Sequence, residues 1–505
     1  MRGDSVPVIF GIKLKQFREE RGLVAKHFAE MAGLSPSYLN EIEKGKKYPK
    51  SEKILQIADA LNIPYDDLVS LKLDQGLDPL ETLLASPILQ ELPLQAVGIS
   101  LQDVIGLVTK SPKKAVALVR TLGEIAHSYN MRVEHFFYAM LRSYQEAHDN
   151  YFEEIEEEAD RFAATHGWDR TGPTGYPRLA GVLTGEFGVV IDEETIAGQP
   201  ELGSFRSIWI EGDTPRLLIN ARLTPAQKAF QVGREIGYRL LGLKERGITS
   251  SRAEVTSFEQ VLNDFKASYF AGALLIDRSV LVAGLTDFFG AKKCVPADFL
   301  ALMEKHGVTP EMFLYRLTQI IPTHFQLSDF QFFRFGRPFG GEAVALTKQF
   351  KMASGPRPPG IGQNEHHCRR WVAVRILADL EERQRRGDRE APIVAAQIAR
   401  FVNSDTEYFY LSLARPFALT RDNNSGVTLG FRLNDQFKAA ARFWNDPHIP
   451  RATVNEACER CGLSPAQCSE RSAPPTINDQ LQNQASRKRA LERLLAHPPG
   501  AQKPS

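Results

Sequence analysis

Leu34-Ser35-Pro36-Ser37-Tyr38-Leu39-Asn40-Glu41-Ile42-Glu43-Lys44-Gly45 is the stretch on which the reading of this chain turns. Ser35 is a good helix N-cap, Pro36 suits the first helical position, and Gly45 is a helix stop. Leu39 and Ile42 fall on one face and leave Ser37, Tyr38, Asn40 and Glu41 outward. Just upstream, Phe28, Ala29 and Met31 pattern another helix, which Gly33 ends. A helix, a tight turn and a capped helix make helix-turn-helix geometry, in which the second helix lies in a major groove with its N-terminal side chains on base edges.

The pattern extends both ways. Leu14, Phe17 and Arg21 sit at helical spacing before Gly22, Ser51 is expected to cap a helix with Ile54, Ile57, Ala58 and Leu61 inward, and Pro64 opens a last helix ending near Leu71. Residues 11–71 thus read as five short helices, bounded as a domain at 9–71. Asn40 suits adenine and Ser37 any base, with Ser35 and Tyr38 beside them. Lys44, Lys46, Lys47 and Lys50 follow, placed to hold phosphates. One such helix covers only a few base pairs, so a homodimer or higher oligomer on half-sites about one turn (~34 Å) apart is expected.

The quoted stretch resembles the XRE (lambda-repressor-like) helix-turn-helix family, and the resemblance covers residues 11–71. Where that family often begins its second helix with a Gln that steadies a phosphate, this chain has Ala25, with Lys26 or His27 to take over.

Overall charge adds nothing to this reading. Sixty-two Lys and Arg against 61 Asp and Glu give +1, so any nucleic-acid surface must be local. No apolar run approaches the ~20 residues of a membrane span, and Val6-Pro7-Val8-Ile9-Phe10 is too short for a secretion signal. Five Cys, three of them bunched, suggest a reducing cytoplasm and a metal site rather than disulfides.

Residues 72–169 read as a mostly helical linker or dimerisation segment, with runs at 101–108 and 115–126 and an acidic stretch from Glu153 to Asp160 expected on a solvated helix face. Pro173, Gly175 and Pro177 mark a boundary, after which residues 170–325 alternate strands (189–191, 207–210, 217–219) with helices (226–241, 257–276). Within them, Gln231-Val232-Gly233-Arg234-Glu235-Ile236-Gly237-Tyr238 has the frame of a zinc-peptidase helix without its metal ligands. Such a helix needs two His at i and i+4, with a Glu beside the first as general base. Glu235 is present, but the His positions hold Arg234 and Tyr238; Arg cannot shed its proton to bind a cation. The segment resembles the ImmA/IrrE metallopeptidase family, in which a Glu ligand lies four residues before a Phe-Ala-Ala-x-Leu-Leu stretch. Here Phe270-Ala271-Gly272-Ala273-Leu274-Leu275 matches, and Lys266 stands at the ligand position. Arg234 and Lys266 therefore either pair with Glu235 in a structural network or receive an anionic effector.

From about Ser328 the texture becomes strand-like (330–335, 371–377, 408–414, 427–432), which sets off a C-terminal sensor domain at 326–475 and a polar tail at 476–505. Cys458-x-x-Cys461 followed by Cys468 presents three thiols to one metal, with Cys368, beside His366 and His367, the best fourth ligand and His367 the fallback. Structural zinc is the default, and a four-Cys iron–sulfur cluster the alternative. These cysteines, with His148-Asp149-Asn150-Tyr151-Phe152 and Cys368-Arg369-Arg370-Trp371, are similar to motifs of the short-chain fatty acyl (RamB-like) regulators. The resemblance implies a regulator of acetate, propionate or glyoxylate-cycle genes that answers to acyl-CoA.

The expected architecture is multidomain: an all-α helix-turn-helix plus helical segment, an α+β zincin-like domain, and a C-terminal α+β domain with mostly antiparallel sheet. The expected function is a cytoplasmic, non-enzymatic regulator of double-stranded DNA. The competing classes are a metallopeptidase, which the missing ligands disfavour, and an antitoxin-like autoregulator.

Overall fold

The computed structural model describes residues 6–70, 133–249, 255–352, 365–388, 392–402, 404, 406–417, 419 and 422–496. The helical runs expected at 101–108 and 115–126 and the terminal stretch 497–505 lie outside them. The chain falls into two compact units, residues 1–144 with 255–262 and residues 145–254 with 263–505.

In the first unit five helices enclose one core: α1 (Val6–Glu20), α2 (Ala25–Met31), α3 (Pro36–Glu43), α4 (Ser51–Leu61) and α5 (Tyr65–Val69). Phe10, Leu14, Phe28, Leu39, Ile42, Ile54, Ile57 and Leu61 fill it. A Cβ at Gly11 would strike the Ile42 carbonyl oxygen, so glycine is what lets α1 lie against α3. Arg18 on α1 clamps Glu43 on α3 with two hydrogen bonds of 2.6 and 3.1 Å. Two details differ from the sequence reading. Met31 is exposed rather than inward. The N-cap of α4 is Lys50, with Ser51 already helical.

The second unit begins within α6 (Val133–Ala147) and continues with α7 (Glu153–Thr165) and α8 (Tyr176–Gly185). Here the acidic run departs from expectation. Most of its carboxylates are solvated, but Glu156 is buried and paired with Arg316. Strands β1 (Val190–Asp192), β2 (Ser207–Ile210) and β3 (Arg216–Ile219) form a small sheet in the order β1-β3-β2, with β1 parallel and β2 antiparallel to β3. Helices α9 (Pro225–Leu240), α10 (Phe258–Leu275), α11 (Arg278–Gly290), α12 (Pro296–Lys305) and α13 (Pro310–Phe325) follow. Thr224 and Gln227 close a capping box that starts α9.

A six-stranded sheet, ordered β5-β4-β8-β7-β6-β9, dominates the rest: β4 (Phe330–Pro338), β5 (Ala345–Met352), β6 (Ile393–Phe401), β7 (Glu407–Pro416), β8 (Asn423–Arg432) and β9 (Arg451–Val454). All its pairings are antiparallel except β6 with β9. Residues 371–377, expected as a strand, instead open the helix α14 (Val372–Arg385). Their β-branched content misleads. Val372, Ile376 and Leu380, with Ala373, Leu377 and Glu381, recur at helical spacing and are buried on the sheet with Tyr410 and Phe335. The short α15 (Asp435–Ala440) precedes β9, and the polar stretch after Pro475 forms a largely exposed helix, α16 (Thr476–Ala496). Residues 170–254 and 263–325 share one compact unit with 326–475, and within it Phe288 and Phe289 on α11 meet Phe443 and Phe431 at ring separations of 5.2 and 6.3 Å.

Candidate functional site

Helix α3 presents the sequence-predicted recognition face. Ser35 caps it by accepting a 3.1 Å hydrogen bond from the Tyr38 N–H. Burial of Leu39 and Ile42 forces Ser37, Asn40 and Lys44 to the exposed side. Lys26 on α2, and Lys46 and Lys50 in the turn after α3, are also exposed. Lys47 is exposed but engaged: it pairs with Glu41 at 2.9 Å and lies 5.8 Å from the Tyr38 ring centre. That hydrogen bond and the Glu41 charge raise the Lys47 ammonium above its ordinary value. A phosphate would have to compete with Glu41 for it, whereas Lys44 and Lys46 make no ion pair with a described residue.

The peptidase-like centre is closed by ion pairs. Gly237 brings α9 against α10, since a Cβ there would lie 2.9 Å from Phe270. This contact explains why the glycine frame and the Phe270-Ala271 stretch occur together. Arg234 is buried and bonds to Asp264, and Tyr238 donates to the same carboxylate at 3.4 Å. Burial, then the Asp264 charge, holds the Tyr238 phenol well above its usual range. Glu235, 3% exposed, accepts two 2.7 Å hydrogen bonds from Arg246, one on each oxygen. Arg246 is itself stacked between the Trp209 and Tyr238 rings at 4.3 Å from each. A carboxylate so held has no oxygen free to activate water.

The expectation that Arg234 and Lys266 pair with Glu235 is therefore corrected. Asp264 takes Arg234, Arg246 takes Glu235, and Lys266 stands half-buried with no ion pair to a described residue. Spacing along one helix could not show these partners, because Asp264 and Arg246 come from other segments of the chain.

Cys368, Cys458, Cys461 and Cys468 are all buried and reduced. Two adjacent segments carry Cys368 and Cys458: His367 bridges Ala457, the Cys368 N–H donates to Glu456 at 3.4 Å, and the Cys458 N–H donates to His366 at 2.9 Å. Burial pushes the Cys368 thiol above its usual range, and a nearby Cys458 thiolate adds to the effect. Cys458 Sγ lies 3.2 Å from Ser472 Oγ. Among the described residues no three His, Cys, Asp or Glu side chains are gathered as a metal ion would need. His366 is turned to Glu459, at 2.7 Å.

Comparison with known proteins agrees with this layout. A helix-turn-helix domain model matches residues 11–73, and an IrrE N-terminal-like domain model matches residues 186–318. Residues of this chain are 40% identical over 60 positions to the HTH-type transcriptional regulator YazB of Bacillus subtilis, covering 12% of this chain and 87% of that protein. The chain belongs to the HTH-type transcriptional regulators. It is also 24% identical over 359 residues to the propionyl-CoA carboxylase regulator of Cereibacter sphaeroides, covering 65% of this chain and 72% of that protein. A solved Mycobacterium tuberculosis transcriptional regulator aligns with a TM-score of 0.43 at 19% identity, covering 66% of this chain and 92% of that one. Among the described residues no single helix is long and apolar enough to cross a membrane.

Proposed function

We propose that this regulator controls genes of short-chain acyl metabolism, of the acetate–propionate or glyoxylate type, and changes its DNA affinity when it binds an acyl-CoA-like effector. The observation that carries the reading is the pairing of an exposed recognition face, Ser37-Asn40-Lys44, with a peptidase-like centre whose general-base position is locked by Arg246. Such a chain reads DNA, and among the described residues its peptidase-like centre offers no free general base for peptide hydrolysis. The named role of the Cereibacter sphaeroides relative supports the metabolic assignment. The protein acts in the cytoplasm as a homodimer, because one recognition helix spans too few base pairs for specificity.

Effector control requires unequal affinity of the ligand for the DNA-competent and DNA-incompetent states. The test is operator binding by fluorescence anisotropy with and without acetyl-, propionyl- and longer acyl-CoA at millimolar concentration. A change in DNA affinity with at least one thioester is expected; identical titrations throughout would remove the effector reading.

A structural zinc held by Cys368, Cys458, Cys461 and Cys468 belongs to the same proposal. Its support is four buried thiols, of which Cys368 and Cys458 lie on adjacent segments; the four are not drawn together as a metal ion needs among the described residues, and metal analysis of the purified protein decides it.

A further inference from the structure

Helix α9 ends in a turn that sends the chain back over its own cleft. Gly242 has a φ of +61°, in the left-handed region, and the Gly242 and Leu243 N–H groups donate to the Arg239 and Tyr238 carbonyls at 3.1 and 2.9 Å. This is a Schellman closure, which a glycine at that position permits. The returning segment, residues 244–249, runs to β2, the strand that ends the small sheet. There the Trp209 N–H donates to the Ile248 carbonyl at 2.8 Å, and Ile208 bridges Thr249 in the antiparallel sense. Asn263 fastens the start of the segment by donating to the Glu245 carbonyl at 3.0 Å. Adding an extended segment to a sheet edge through main-chain bonds is one of the ways in which folded domains take up peptides.

Arg246 anchors this segment, whose Lys244, Glu245 and Ile248 are exposed. Its guanidinium lies 4.3 Å from the ring centres of both Trp209 and Tyr238 and bonds both Glu235 oxygens at 2.7 Å. Each ring is fixed by its own polar end: Trp209 Nε1 donates to Glu211 at 2.6 Å, and the Tyr238 hydroxyl to Asp264 at 3.4 Å. Two held rings and a buried carboxylate make a box for one planar cation. A guanidinium satisfies it in full, with its faces against the rings and its fork on the two oxygens; an ammonium has neither plane nor fork. The box does not depend on Arg246 for all its charge balance. Arg239 stands 3.6 Å from the Glu235 carboxylate and 4.8 Å from the Trp209 ring centre, so both keep a cation beside them when Arg246 is away.

We propose that the cleft between β2 and α9 is a binding site for an extended peptide that carries an arginine, and that residues 244–249 are its intramolecular ligand. Arg246 is the residue recognised, and residues 248 and 249 add the main-chain pairing on β2. The role of Glu235 here differs from that of a peptidase base, because it holds a side chain of the ligand and activates no water. An arginine-bearing strand of a partner protein enters the cleft only by displacing the chain's own segment. The site stands apart from the effector reading, which neither requires it nor falls with it.

The test is calorimetric titration of the full chain, as wild type, Arg246→Ala and Arg246→Lys, with an end-blocked peptide of residues 243–249, Leu-Lys-Glu-Arg-Gly-Ile-Thr, up to millimolar concentration. The Arg246→Ala chain should bind the peptide, and the wild type should bind it at least about tenfold more weakly, because a cleft filled by its own segment more than about nine-tenths of the time loses apparent affinity by that factor. The peptide with Arg246→Ala should not bind the Arg246→Ala chain, and the peptide with Arg246→Lys should bind it at least about tenfold more weakly than the native peptide. Bound native peptide should also raise the melting temperature of the Arg246→Ala chain toward that of the wild type. An arginine with a structural role alone would lower the melt when replaced and leave the native peptide without affinity for any of the chains, and that result overturns the proposal. Equal binding of the arginine and alanine peptides also overturns it, since the cleft would then pair strands without reading the side chain. So does equal affinity of the native peptide for wild type and Arg246→Ala, which would place the peptide elsewhere. If Arg246→Ala fails to fold, Arg246→Lys decides. That chain keeps the charge beside Glu235 and loses the fork, so it should bind the native peptide more tightly than the wild type does, and equal affinity or none counts against the site.

Discussion

Replacing Glu156 by Gln should destabilise the second unit by about 3–5 kcal/mol, the usual consequence of stripping one partner from a buried ion pair. The geometry sets this high figure. Arg316 and Glu156 side chains are 0% and 1% exposed, and Arg316 grips both carboxylate oxygens at 2.6 and 2.7 Å. Tyr269 donates to Glu156 at 2.6 Å, so three elements, α7, α10 and α13, are tied at one carboxylate. Gln keeps the shape and one acceptor but leaves the Arg316 charge without a counterion. All four tryptophans, Trp168, Trp209, Trp371 and Trp444, lie in the second unit, so intrinsic fluorescence follows it apart from the DNA-binding helices. With a urea slope of about 3 kcal/mol per molar, the midpoint should fall by about 1–1.7 M.

Acid should act on the same pair. Burial raises the Glu156 carboxyl, but the Arg316 charge and its hydrogen bonds outweigh that and hold it below the usual range. Its folded value is thus depressed. The stabilisation is fully present above the unfolded value of about 4.3 and is lost as pH falls through the folded one. Glu156→Gln should lack that part of the acid sensitivity. The triple substitution Glu156→Leu, Arg316→Met and Tyr269→Phe should recover part of the loss, because no buried charge is then orphaned, while the Phe152 N–H loses its 3.2 Å bond to the Tyr269 hydroxyl. A midpoint shift under about 0.3 M for Glu156→Gln, near the uncertainty of the extrapolation, would refute the reasoning.

Asn40→Ala should cost about 1–3 kcal/mol of operator binding and relax one base position, whereas Lys46→Ala should weaken all sequences alike and flatten the salt dependence; matching specificity profiles would displace α3 as the reading helix. Glu235→Gln should leave proteolysis with added zinc at background, as in wild type, and cleavage that the substitution abolishes would restore the peptidase reading. His306 is 1% exposed with neither ring nitrogen bonded, and burial lowers it to about 4. Its unfolded value is about 6.5, so stability should decline as pH drops from about 6.5 toward 4, and His306→Phe should flatten that slope in fluorescence-monitored urea melts. Cys458→Ser should remove bound zinc and lower the thermal midpoint of the second unit; unchanged metal content, or none in wild type, counts against the site.

The DNA-binding helices were legible because their information is local. Ser35, Pro36, Gly33 and the Leu39–Ile42 face act within a few residues of one another, and the core they imply is the one observed. Strands β1 to β3, β4, β7 and β8 were legible for the same reason, each being a short apolar run between breakers. The loss of the metal ligands at Arg234, Tyr238 and Lys266 could also be read directly, since it depends only on which side chains occupy three positions.

What filled their places could not be read that way. Asp264 and Arg246 reach the peptidase-like centre from other segments, Glu156 turns inward because Arg316 lies opposite it, and residues 371–377 become helix because the sheet face takes their buried side chains at helical spacing. Helix caps and glycine stops are short-range chemistry that the amino-acid order contains outright. Ion pairing and burial depend on distances across the fold, where charge partners are chosen by proximity and low dielectric rather than by position along the chain. Sequence alone therefore determined that this is a helix-turn-helix regulator and that the zinc-ligand positions of its peptidase-like helix hold other residues. Only the tertiary structure decided where its buried charges pair: Glu156 with Arg316, Glu235 with Arg246 and Arg234 with Asp264.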